Sequence, residues 1–164
     1  MISVLKLKNV HLILFVISSI AFSFSVFAQF VLGHEPCQLC LFTRFMFVGV
    51  SVFSLLSLIT NLSFLRKILF LNILGMACFG FYHLGVENHW WAGPQSCVSE
   101  LPSLENIGRD VIQNGRPHCD KVNWEILGFS STLLSFLMAA FMLWMISMSY
   151  VLNIFKKRLE NDYE

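Results

Sequence analysis

Charge is what this chain has least of. Asp, Glu, Lys and Arg make up 13% of its 164 residues, while 56% are hydrophobic. Ordinary soluble domains carry about 25% charge, so the shortage excludes a freely soluble domain. Alternating strand patterns with regular turns are missing too, which excludes a transmembrane barrel. The sequence shows neither internal repeats nor low-complexity segments, and its length suits one domain.

The few charges fall in places that divide the chain. Twenty-six uncharged residues separate Lys8 from Glu35, 21 separate Arg44 from Arg66, 19 separate Lys67 from Glu87, and 30 separate Glu125 from Lys156. A spanning helix needs about 20 apolar residues, and lipid obliges backbone polar groups to pair within the segment. The expectation is an all-α membrane protein, a bundle of four transmembrane helices near 10–32, 37–62, 67–87 and 125–152. Loops at 33–36 and 88–124 join them on one side. Lys6 and Lys8 ahead of an apolar run ending in Val26-Phe27-Ala28 look like a signal peptide. The run is longer than the roughly 7–15 residues of a signal core, so it reads as an uncleaved helix.

Seven of the eleven basic residues (Lys6, Lys8, Arg66, Lys67, Lys156, Lys157 and Arg158) cluster on one face, which the positive-inside bias makes cytoplasmic. The opposite face holds Cys37, Cys40, Cys97 and Cys119, in a compartment where disulfides persist. It also holds Trp90, Trp91 and Trp124, suited to a membrane interface. Turn residues Ala92-Gly93-Pro94 open the long loop. Leu101, Leu104, Ile107 and Val111 then mark a short amphipathic surface helix over 99–113, ended by Asn114-Gly115-Arg116-Pro117. Cys97 and Cys119 flank it, and four cysteines leave three pairings open. The fifth cysteine, Cys78, reads as a small packing residue on a face of helix three shared with Gly75, Tyr82 and Gly85.

Cys37-Gln38-Leu39-Cys40 begins helix two behind Pro36, a residue suited to a first turn. Cys37, Cys40 and Arg44, at i, i+3 and i+7, share a stripe. A helix N-terminus and a nearby cation favour the thiolate, so Cys40 is the expected nucleophile. Arg44 is costly at membrane depth and therefore points to function rather than to snorkelling. Position 41 is Leu where a c-type haem site needs His, which excludes that reading. Structural zinc would need a second close pair beside His34, Cys37 and Cys40, and Cys97, His118 and Cys119 do not supply one, so no metal is expected. Two dithiols, one at the membrane edge and one in an aqueous loop, suit a relay by thiol–disulfide exchange. A lipid-soluble electron sink such as a quinone would complete it.

These residues resemble the DsbB family of bacterial disulfide-forming membrane proteins. The matching pieces are Cys37-Gln38-Leu39-Cys40 with Leu41-Phe42-Thr43-Arg44, Tyr82-His83-Leu84-Gly85-Val86-Glu87, Cys97, and Cys119-Asp120 leading to Trp124 and Leu127-Gly128. The resemblance implies an enzyme of the bacterial inner membrane with both termini cytoplasmic and its cysteine loops periplasmic. It would reoxidise a soluble thioredoxin-like dithiol oxidase, DsbA, and reduce ubiquinone or menaquinone. Cys97 would take the partner's attack, Cys119 would be its loop partner and exchange with Cys37, and Cys40 would meet the quinone beside Arg44. The chain departs from the family at Thr43, where many members have Glu or Gln. A second quinone contact falls to His89, with Glu87 and His83 as rivals. His34 and His118 could tune their neighbouring thiols, and His11 reads as a membrane-edge residue. Two rival functions are a disulfide-stapled membrane scaffold without activity and a transmembrane reductant carrier. The carrier would need thiols reachable from both faces, and Cys78 alone lies away from the outer one. The vitamin K epoxide reductase family also joins helices to quinones, but its quinone-side CxxC lies late in the chain.

Overall fold

A computed structural model of the chain describes residues 7–60, 62–94, 119–122, 124–126 and 128–162. The surface helix expected over 99–113, together with Cys97 and His118, lies outside the described residues. Four long helices dominate: α1 (Leu7–Phe30), α2 (Gln38–Thr60), α3 (Ser63–Glu87) and α4 (Ser131–Asp162). Each contains a stretch of at least 23 residues long and apolar enough to cross a membrane, about 35 Å at 1.5 Å per residue. The chain is thus an all-α, four-helix membrane bundle.

Helix four starts at Ser131, not near residue 125. Residues Glu125–Ile126 (β1) and Phe129–Ser130 (β2) instead form a small antiparallel hairpin, pairing Glu125 with Ser130 and Ile126 with Phe129. Gly128 turns it with φ +82°, a backbone conformation open to glycine at little cost. Ser130 then caps the helix, its Oγ accepting the Leu133 N–H at 3.1 Å, which satisfies one of the unpaired donors of the first turn.

Helix α1 packs chiefly on α2, α2 also on α3, and α3 on α4. Their shared core is apolar: Val10 and Leu14 meet Phe47 and Val50, Leu69, Ile73 and Met76, and Met142 and Ile146. One polar clamp crosses it, where the Ser51 hydroxyl bonds Ser18 at 2.8 Å and Ser19 at 3.1 Å. The outward faces are equally apolar: Phe45, Ile59 and Leu71 are each more than 60% exposed. Such a belt suits lipid rather than water.

The buried stripe of α3 runs through Leu69, Ile73, Met76, Ala77, Gly80 and His83. Gly80 is where α4 comes close, since a β-carbon there would sit 3.4 Å from the Phe136 backbone. The face expected from sequence is a different one. Cys78 and Tyr82 are exposed, and Gly75 faces open space. Beyond α3 the chain folds back on the helix. The Trp91 indole donates to the Tyr82 carbonyl at 2.9 Å, and its ring lies where a side chain on Gly85 would collide with it.

Candidate active site at the thiol end of the bundle

The CxxC pair straddles the start of α2. Cys37 precedes the first helical residue, with its carbonyl accepting the Leu41 N–H at 3.1 Å. Its sulfur accepts the Cys40 N–H at 3.2 Å, in the position of a helix cap. The two neighbouring thiols nevertheless differ in their surroundings. Cys37 is fully buried, while Cys40 is half-buried.

Cys37 faces inward, toward α3 and the returning loop. His83 Nε2 lies 3.6 Å from its sulfur, and the Cys119 sulfur completes a triangle in which every ligand atom is within 4.8 Å of the others. Leu39 and Val86 close this cluster. The loop is held over it by aromatic stacking. Trp124 lies flat on His34, with ring centroids 5.4 Å apart and planes 10° apart, and also touches Phe24 at 5.9 Å. All four described cysteines are thiols. A side-chain hydrogen bond with Cys119 favours the Cys37 thiolate, but the neighbouring Cys40 thiol and burial outweigh it. The Cys37 thiol is pushed up to about 12.

Cys40 stays beside Cys37 but also lines a cleft of about 160 Å³ between α1, α2, α3 and α4. Arg44, His83, His34 and Trp124 also line it, and its walls are apolar: Phe24, Phe47, Leu134 and Met138. Arg44 is held by α1. Its Nε donates to Ser25 Oγ at 3.0 Å, one Nη to the Ser25 carbonyl at 3.1 Å, and the other Nη to Gln29 Oε1. These partners are all neutral. They fix the guanidinium in place without cancelling its charge, which stays available to an anion in the cleft.

Of the residues singled out in the sequence, the structure brings Cys37, Cys40, Arg44 and Cys119 to one end of the bundle. His34 joins them by stacking on Trp124. His89 does not join them: it is exposed just past α3, in a left-handed turn with φ +57°, and is not part of the cleft lining. His83 is the histidine beside the thiols, only 4% exposed. Glu87 ends α3 outside the cleft lining, and His11 is buried near the opposite end of α1. Ser25 and Gln29 are site residues that the sequence reading missed. Their one-turn spacing is a weak signal, because α1 carries other polar side chains, Ser18, Ser19 and Ser23 among them.

Four membrane-long helices enclosing a thiol cluster and an apolar cleft define a multi-pass membrane protein with a built dithiol site. Comparison with known sequences agrees. Residues 7–149 match the family described as disulfide bond formation protein DsbB, and the chain belongs to that family. A protein of Xylella fastidiosa named disulfide bond formation protein B is 28% identical over 127 residues, 69% of this chain and 72% of its own. An uncharacterized protein of Rickettsia prowazekii is also 28% identical, over 134 residues, 77% of this chain and 78% of its own. A disulfide bond formation protein B of Cupriavidus pinatubonensis is 45% identical over 38 residues, and that match spans only about a quarter of either chain.

Proposed function

We propose that this protein is a quinone-dependent protein-disulfide oxidoreductase of the bacterial inner membrane. It reoxidises a soluble periplasmic DsbA-like dithiol oxidase. The observation that carries the reading is the division of one CxxC pair between two environments. Cys37 meets the loop cysteine Cys119 in a buried cluster, and Cys40 meets Arg44 in an apolar cleft.

The chain's residues divide the work accordingly. A partner thiolate attacks Cys97 of a Cys97–Cys119 disulfide, and a mixed disulfide forms as Cys119 leaves. Cys119 then attacks Cys37 of a Cys37–Cys40 disulfide. The new bond joins Cys119 to Cys37, and Cys40 leaves as a thiolate. The developing charge falls beside the fixed guanidinium of Arg44, the arrangement that stabilises an anion best when no reorganisation is needed. Apolar walls with one cation and one thiol fit ubiquinone or menaquinone, which supplies a sink for two electrons and two protons when bound. His83 touches Cys37 and also lines the cleft, so it, rather than His89, is placed to orient the pair. The cysteine loops are periplasmic and both termini cytoplasmic.

The test is quinone reduction by the purified protein in detergent, with a reduced thioredoxin-like periplasmic dithiol as donor. Donor-dependent quinone loss that vanishes in Cys97→Ser, and falls on the order of 100-fold in Arg44→Ala, is the expected result. Folded protein that reduces no quinone with any donor would leave a stapled scaffold as the better account.

A further inference from the structure

The triangle of Cys37, His83 and Cys119 has a property that disulfide exchange does not require: it has the ligands and nearly the dimensions of a metal site. All three residues are buried, at 0%, 4% and 1% exposure. A tetrahedral zinc ion with bonds of about 2.3 Å to sulfur and about 2.05 Å to nitrogen sets its sulfur and nitrogen ligands about 3.55 Å apart, and two sulfurs about 3.8 Å apart. Here Cys37 Sγ and His83 Nε2 are 3.6 Å apart. The remaining ligand-atom separations are within 4.8 Å, so closure asks for shifts of at most about 1.25 Å. His83 also lines the cleft, which gives an ion a path inward.

We propose that the reduced protein binds one soft divalent cation, zinc in the first instance, through Cys37 Sγ, Cys119 Sγ and His83 Nε2, and that the bound ion halts the relay. Two S–H bonds break and two metal–sulfur bonds form. The two protons pass to solvent, and no electron moves. The fourth position is left to water, as in sites with three protein ligands. Both sulfurs that must exchange with one another are then held as metal ligands. Oxidation of either one removes the site, so the ion reads the redox state of the loop. This set differs from the structural zinc set weighed from the sequence, sharing only Cys37 and Cys119 with it, and it stands whether or not the electron acceptor is a quinone.

The experiment is a cobalt(II) titration of the full-length protein in detergent, reduced and then freed of reductant. The expected result is sulfur-to-cobalt charge-transfer absorption that saturates at one ion per chain and is displaced by zinc. The same wild-type protein, once oxidised, gives no such band, a comparison independent of any mutant's folding. Cys37→Ser and Cys119→Ser lose the band. His83→Gln weakens binding at least about tenfold, the loss that even an outer-shell partner produces, and Cys40→Ser retains it. A band that survives Cys119→Ser, a band that requires Cys40 instead, or no band from reduced wild type would each overturn the proposal.

Discussion

The middle of the bundle and its thiol end are built on opposite terms. In the middle, Leu14, Val50, Ile73 and Ile146 bury apolar surface against apolar surface, and nothing there reacts. At the thiol end the buried groups are Cys37, His83 and Cys119, set beside a cleft that keeps a guanidinium among neutral partners. Packing alone sustains the first region. The second keeps reactive groups in place only because the first holds α1, α2, α3 and α4 in register around it.

The largest way to break the comparison is to hollow the inert middle. Ile73→Ala removes a fully buried side chain and is expected to cost about 2–5 kcal/mol. The check is thermal or denaturant unfolding in detergent, with turnover per folded molecule unchanged. A loss of turnover without a loss of stability would show that the two regions are not separable in this way.

Next comes the cradle of Arg44. Gln29→Leu keeps the volume but removes an acceptor from a charged donor, and such bonds are worth about 1.5–3 kcal/mol. Turnover is expected to fall by at least as much, in free energy, as stability does. Ser25→Ala leaves Arg44 the Ser25 carbonyl and Gln29, so its effect is smaller, about 1 kcal/mol. Steady-state rates beside unfolding curves for both variants check the order. Stability losses that exceed the rate losses would make Arg44 a structural residue.

The subtlest effect lies inside the CxxC pair. The Cys37 thiol is pushed up to about 12, so it stays protonated through the neutral range, and its thiolate becomes abundant only as pH rises toward that value. Reduced protein treated briefly with an alkylating agent at neutral pH should therefore carry the label on Cys40 before Cys37, with the preference narrowing at alkaline pH. Peptide mass spectrometry reads the order, and equal labelling at neutral pH would contradict the asymmetry.

The two regions were also unequally legible in the sequence. Uncharged windows announced the four helices, because charge is costly in lipid wherever it faces. The spacing of Cys40 and Arg44 pointed toward the cleft, because a thiol and a cation one turn apart are unusual at membrane depth, while Cys37 on the same stripe lies in the neighbouring buried cluster. The inner face of α3 was not announced. A spanning helix is apolar on its lipid side as well as its packed side, so periodicity cannot separate Gly75 and Cys78 from Met76 and Gly80. For the same reason the burial of His83 against Cys37 could not be read from its place in α3. The hairpin before α4 escaped because two-residue strands have no period to read.

The most direct test of the account is the bond it requires between the two regions of the chain that carry thiols. Wild-type protein, oxidised and free of quinone, then mixed with a reduced periplasmic dithiol protein that lacks its resolving cysteine, should accumulate a disulfide joining Cys37 to Cys119 with Cys40 released as a thiol, identified as a cross-linked peptide after acid quenching. Cys37 remaining bonded to Cys40 throughout, while Cys119 is released from Cys97 as a thiol, would contradict the relay.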